Sequence, residues 1–170
     1  ELFIACKSLW QKGYEFKLYI AGDIDEGNQS SLTDNEVCNL KKNKNIVFLG
    51  HVKNIKEYYS KSDLVVLPSW REGLSRSLLE AAAMAKPIIT CDVPGCRDII
   101  INKKNGLLVP IKDPEAIEES ILFIYENQEL AIKYGKNARQ KVIKDFEVDK
   151  INKSTLEIYS SLISKKFLNY

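Results

Sequence analysis

Apolar positions along this chain fall into short blocks that alternate between two spacings. Leu2, Ala5, Cys6 and Leu9 recur at helical spacing and predict a helix over residues 2–12. Phe16 to Ala21 predicts a strand that ends at Gly22, and the polar stretch Asp23 to Ser31 a loop. Thr33 followed by Glu36 is a capping-box pattern, so a second helix is expected to about Lys42. Ile46 to Leu49 predicts a strand, Asn54 with Glu57 a helix to about Ser62, and Leu64 to Leu67 another strand. A helix beginning near Ser75 and a strand over Ile88 to Cys91 repeat the unit. Asn105-Gly106 predicts a turn between two short apolar runs, Ile99 to Ile101 and Leu107 to Ile111. Asp113 then caps a helix with Pro114 in its first position, and two amphipathic helices follow over about 129–144 and 148–165. This alternation predicts one α/β domain over residues 1–170, an open parallel sheet with helices on both faces.

Composition changes this picture mainly by exclusion. At 170 residues and 45% hydrophobic, the chain buries a sizeable core without disulfides or metal. Its net charge of +2, from 25 basic and 23 acidic residues, implies no nucleic-acid partner. Cys6, Cys38, Cys91 and Cys96 show no metal-type spacing and read as reduced thiols. No apolar run approaches the ~20 residues of a membrane span, and no signal peptide is seen, so the expected location is cytoplasmic. The chain starts at Glu1-Leu-Phe-Ile without Met, in what reads as mid-helix, and is expected to be a fragment of a longer protein.

The chemistry concentrates in residues 68–87. Leu64 to Leu67 runs into a polar loop holding Glu72 and Gly73. The helix after it is apolar almost all round, through Leu78, Leu79, Ala81, Ala82, Ala83, Met84 and Ala85, with Glu80 as its one carboxylate. Such a helix is expected to be buried, and a buried carboxylate needs a partner, which a ligand bearing hydroxyl groups supplies. Gly73 permits close backbone approach, and the N–H groups of Leu74, Ser75 and Arg76 open the helix toward an anion. Each residue also has a plainer reading: Glu72 solvated, Glu80 on the helix surface, Gly73 a tight turn, Ser75 an N-cap, Arg71 and Arg76 solvated or ion-paired. Lys86 is expected to end the helix and offset its dipole.

Two glutamates separated by seven intervening residues, within Pro68-Ser…Glu72-Gly-Leu…Leu79-Glu-Ala…Lys86-Pro-Ile-Ile, resemble the donor-binding signature of the family-four retaining glycosyltransferases, which have the GT-B fold. Asn45-Ile-Val-Phe-Leu-Gly50, Asp92-Val-Pro-Gly-Cys-Arg-Asp98, Asn105-Gly-Leu-Leu-Val-Pro110 and Asp113-Pro-Glu-Ala-Ile117 are similar to segments of that family in the same order. The resemblance covers roughly residues 1–160. It implies a Rossmann-like, nucleotide-sugar-binding C-terminal half, with an N-terminal acceptor domain and one further central strand outside this chain. That strand's loop would carry the Arg and Lys that relatives use on the donor diphosphate. The variant present here resembles bacterial enzymes of capsule, O-antigen or lipid-linked oligosaccharide synthesis.

By the same resemblance, Glu72 contacts donor-sugar hydroxyls and is the catalytic-site residue, while Glu80 binds the ribose hydroxyls. Gly73, Leu74 and Ser75 would offer N–H groups to phosphate and sugar; apart from the resemblance, Arg76 could offset diphosphate charge in place of part of the absent basic loop, with a solvated residue or salt-bridge partner as its plainer reading. Gly22 leaves room for the nucleotide, and the backbone around His51 and Val52 lies beside its base; the plainer readings are a strand terminator and a rim loop. The implied reaction is front-face displacement from a nucleotide diphosphate sugar to a glycan or lipid-linked acceptor, with no metal or other cofactor. Any membrane contact would be peripheral and made by the missing half. Asp23-Ile24-Asp25 has metal-motif spacing but lacks the fold context, and Asp23 to Glu26 are expected to point into solvent, away from a diphosphate. Two other readings stay open: a non-catalytic nucleotide-binding module, and another GT-B enzyme such as a sugar-nucleotide epimerase. The absence of G-x-G-x-x-G argues against a dinucleotide cofactor.

Overall fold

A computed structural model describes residues 1–24 and 31–167. Its elements are α1 (Leu2–Gln11), β1 (Leu18–Ala21), α2 (Asp34–Lys41), β2 (Ile46–Gly50), α3 (Ile55–Lys61), β3 (Val65–Leu67), α4 (Arg76–Ala83), β4 (Ile88–Cys91), α5 (Pro94–Arg97), β5 (Leu107–Val109), α6 (Pro114–Glu126), α7 (Gln128–Phe146) and α8 (Val148–Phe167). All the strand pairs are parallel, as the alternating pattern requires. The ladder is divided: β1 pairs with β2, and β3-β4-β5 form a second sheet. Among the described residues, β1 and β3 are not hydrogen-bonded to each other.

Local chemistry sets most boundaries. Thr33 Oγ1 accepts from the Glu36 N–H, and the Glu36 carboxylate accepts from the Thr33 N–H at 2.8 Å, completing the box that starts α2. Asp113 accepts from the Ala116 N–H at 2.9 Å and starts α6 with Pro114 behind it. α3 starts after Asn54 as expected, but without a side-chain cap. Glu57 pairs with Lys61 one turn on.

One apolar run finds its place and one expectation is corrected. Ile99 to Ile101, the run ahead of the Asn105-Gly106 turn, forms no strand: it follows the short helix α5, and Ile99 and Ile100 are fully buried in the core. The turn itself is present, with Lys103 at φ 58°, but it delivers β5 parallel to β4 and makes no hairpin. Buried Asn105 holds this turn by donating to the Ile99 carbonyl (3.0 Å) and accepting from the Ile101 N–H (2.6 Å). Lys86, in turn, caps a different helix from the one expected. Its Nζ donates to the Ser60 and Ser62 carbonyls at the C-terminus of α3. The end of α4 is served instead by Arg139, which donates to the Ala83 carbonyl.

The core forms around β4, whose four side chains are 0–1% exposed. Leu78, Ala81 and Ala82 of α4 and Ile117, Ile121 and Ile124 of α6 belong to the same buried cluster. α1 contributes Ala5, Cys6 and Leu9 and lies on α6; α7 packs on α4. The apolar residues of α8, among them Ile151, Ile158 and Leu162, are exposed. No described helix is long and apolar enough to cross a membrane.

Gly135 of α7 permits the α4–α7 packing, since a Cβ there would lie 2.0 Å from the Ala85 carbonyl oxygen. Helix propensity alone would make Gly135→Ala stabilising by about 1 kcal/mol. Against an immovable carbonyl the overpacking cost of about 1–3 kcal/mol wins. The expected outcome is a thermal midpoint lower by several degrees. A midpoint unchanged or raised in a calorimetric scan would show that α7 does not lean on Ala85.

Candidate functional site

Parallel strands place their C-terminal ends on the same edge of a sheet, and the loops leaving those ends carry the candidate residues. In the first sheet the ends meet directly: the Gly22 N–H donates to the Gly50 carbonyl at 2.9 Å. Both glycines have positive φ, 127° and 62°, which explains glycine at each position without a ligand. Asp23 is exposed and its carboxylate lies 3.3 Å from where a Gly50 Cβ would stand. His51 is exposed and Val52 half-buried. Asp25 and Glu26 fall outside the described residues, so the expectations placed on them do too.

In the second sheet, the loop from Pro68 to Ser75 leaves β3 and enters α4. Ser75 is buried in extended conformation at the cap position, but its side chain makes no capping bond. The first helical bond runs from the Leu79 N–H to the Ser75 carbonyl at 3.1 Å. The N–H groups of Arg76, Ser77 and Leu78 therefore have no intrahelical acceptor, and they carry the positive end of the helix dipole. Gly73 lacks a left-handed φ, and a Cβ built there meets nothing within 4 Å. Neither turn strain nor packing within this chain requires glycine at 73.

The surroundings of Glu80 differ from those expected. α4 is buried along Leu78, Ala81 and Ala82 only, and Glu80 is half-exposed at the edge of that stripe. Its helix also presents Arg76, Ser77 and Ala83 to solvent, so water reaches the carboxylate and relieves the need for an internal partner. Among the described residues, the Glu80 carboxylate makes no ion pair or hydrogen bond. Its nearest charged influence is on Tyr59. Burial first, and the Glu80 charge second, push that phenol above its ordinary range, while the Tyr59 hydroxyl donates to the Ser77 carbonyl at 3.2 Å. Glu72 is likewise half-exposed and unpaired, and Arg71 and Arg76 are exposed without a partner. Arg97 is occupied, paired with Asp92 at 2.8 Å.

Three neighbours of this loop escaped the sequence reading. Lys112, at φ 60° after β5, sets its ammonium 4.4 Å above the ring of Trp70, which stays 43% exposed. No spacing links residues 70 and 112. Thr90 and Gly95 touch the loop from β4 and α5, and only the position of Gly95 in Asp92-Val-Pro-Gly hinted at a role.

A family model described as "Glycosyl transferases group 1" matches residues 1–141. The Staphylococcus aureus capsular polysaccharide biosynthesis glycosyltransferase CapM is 29% identical over 165 residues, 97% of this chain and 43% of that protein. The Campylobacter jejuni N,N'-diacetylbacillosaminyl-diphospho-undecaprenol alpha-1,3-N-acetylgalactosaminyltransferase is 33% identical over 116 residues, 68% of this chain and 31% of that one. The crystal structure of Anabaena HepE in complex with UDP superposes with a TM-score of 0.82 at 23% identity, over 94% of this chain and 44% of HepE. The chain thus spans less than half the length of these relatives.

The thiols around the core give a prediction with a sign. Burial raises Cys6 to about 12 and Cys91 to about 11, whereas an unfolded thiol ionises near 9.0. Above pH 9 the unfolded chain loses these protons first, so stability present in full below pH 9 falls as pH rises toward 11–12. Urea midpoints should drop between pH 8 and 10.5, with a shallower slope in Cys6→Ala. In the native protein, iodoacetamide should modify exposed Cys38 well before the three buried thiols. Equal labelling rates at all four cysteines would contradict this burial pattern.

Proposed function

The chain belongs to the group 1 glycosyl transferases, and on that premise we propose that it is the donor-binding half of a retaining enzyme that takes a sugar from a nucleotide diphosphate. The observation that carries this reading is Glu80: a half-buried carboxylate, without a partner among the described residues, one turn beyond an uncapped helix start. An ionised carboxylate only accepts hydrogen bonds and takes two O–H donors at once, which is what the vicinal hydroxyls of a ribose present. Glu72 receives the hydroxyls of the sugar. The main chain of Gly73, Leu74 and Ser75, with the open N–H groups that follow, receives the β-phosphate, and Arg76 adds charge. Gly22 leaves room for the nucleotide, and the backbone around His51 and Val52 lies beside its base. The glycine at 73, which this fold does not need for itself, is supported as the point where ligand meets backbone.

In the proposed reaction the acceptor oxygen bonds to the anomeric carbon on the face from which the phosphate departs, and the acceptor proton passes to the departing phosphate oxygen. N–H groups and Arg76 stabilise the charge that develops there, and no metal is invoked. The acceptor, a glycan or a lipid-linked sugar, is held by a part of the longer protein outside these residues. A further strand from that part is proposed beside the open edges of β1 and β3. The protein works in the cytoplasm, with peripheral contact to the membrane through its other half. Bacterial polysaccharide synthesis is the proposed setting, since CapM is named for it.

Two outcomes test this reading. In the full-length protein, Glu80→Gln keeps shape but removes charge-assisted bonds of about 1.5–3 kcal/mol each, so affinity for the bound nucleotide sugar should fall roughly tenfold or more. The thermal midpoint should stay put, because Glu80 has no internal bond to lose. Unchanged affinity with a lowered midpoint would reverse the assignment. Residues 1–170 alone should transfer no radiolabelled sugar, and turnover by them would refute the two-part reading.

A further inference from the structure

The groups that hold the Glu72–Gly73 loop in place stand outside the loop, on β4 and on the turn after it. Gly95 is buried at the start of α5. A Cβ there would lie 1.4 Å from the Gly73 carbonyl oxygen, 2.5 Å from the Gly73 carbonyl carbon and 2.6 Å from the Glu72 carbonyl oxygen. All three are main-chain atoms, so no side-chain rotation relieves the overlap. This is the closest backbone approach made by any glycine among the described residues, and it falls on the two residues at the centre of the candidate site.

Thr90 acts at the loop's entrance. Its hydroxyl, on a fully buried side chain, donates to the Leu67 carbonyl at 2.8 Å, just ahead of Pro68. The same oxygen lies 3.1 Å from Cys96 Sγ. A hydroxyl has one proton, and with that proton on Leu67 the Cys96 thiol is the donor to Thr90. Burial keeps Cys96 a neutral thiol by pushing its ionisation up. The loop is therefore fastened at its entrance through Thr90 and braced at its centre by Gly95, with Cys96 joining the two supports.

We propose that Gly95 is a positioning residue for sugar-nucleotide binding, acting with Thr90 by setting where the Glu72–Gly73 backbone stands. The inference rests on the donor-site reading above. Any side chain at 95 forces the two backbones apart by about 1.5 Å before even the tightest ordinary contact is reached. Misplacement by about 1 Å is enough to lose most of an oriented contact.

The test uses the full-length protein and calorimetric titration with UDP-glucose, UDP-N-acetylglucosamine and GDP-mannose, taking whichever binds. Gly95→Ala should weaken binding about tenfold or more. Gly106→Ala supplies the packing control, because a Cβ there meets the Ile88 carbonyl oxygen at 2.8 Å, away from the loop. It should lower the thermal midpoint yet change affinity by less than about twofold. Thr90→Val, nearly isosteric, should weaken binding about fivefold through the lost hydroxyl, and Thr90→Ser should restore it to within about twofold of the parent.

Gly95→Ala binding no worse than Gly106→Ala overturns the proposal. If Gly95→Ala does not fold, the Thr90 pair decides, and equal affinities for Thr90→Val and Thr90→Ser overturn it. Glu72→Ala separates the two levels. Unchanged affinity in Glu72→Ala removes the donor-site reading itself, whereas a loss there beside a parent-like Gly95→Ala removes only the positioning role.

Discussion

Hydrogen-bond ladders on both sides of β4, with its four side chains out of solvent, constrain where every other element of the second sheet and its helices can lie. A strand buried on both faces must be covered from both sides, and α4 and α6 bring the apolar surface that does so. Because β3 and β5 run parallel to β4, their loops leave from the same edge. The loop bearing Glu72, the Asp92–Arg97 turn and the Lys112 segment are gathered there by strand direction alone. Thr90 belongs to that buried strand, so the hydroxyl that secures Leu67 is held as firmly as the core itself.

The charges around that edge divide into those that are satisfied and those that are not. Arg97 and Asp92 neutralise each other, as do Lys12 with Glu118 and Lys141 with Asp145 at the periphery. Among the described residues, Arg71, Glu72, Arg76 and Glu80 remain unpaired around a helix start whose first N–H groups are open. Two exposed cations and two half-exposed carboxylates on one loop and helix suit a ligand with both phosphate and hydroxyl groups. A surface built only for stability would gain little from leaving them apart, though exposed pairs contribute only about 0–1 kcal/mol in any case.

The loop's rigidity is a separate matter from its chemistry. Gly73 is free of constraint from its own conformation, and Gly95 is the residue that limits it. On the proposed reading, this division places the donor-binding groups in one segment and their support in another, so the first can vary while the second maintains the geometry.

Residue order alone determined the parallel α/β architecture, since apolar blocks alternate in period and the capping residues Thr33 and Asp113 declare their helices locally. It also determined the candidate loop, because Glu72, Gly73 and Glu80 are close in sequence and their chemistry is legible there. What depends on distant contacts was decided by the tertiary structure. Ile99 to Ile101 was legible only as an apolar run, and the packing after α5 decided that its first two residues join the core without forming a strand. Lys86 served α3 instead of its own helix because α3's last carbonyls lie within its reach. Glu80 proved half-open because its helix buries one stripe and leaves the carboxylate at that stripe's edge. The supports from Thr90, Gly95 and Lys112 lie on other elements, and only folding brings them to the loop, since local sequence encodes propensity whereas the close approach of two backbones depends on every element that packs between them.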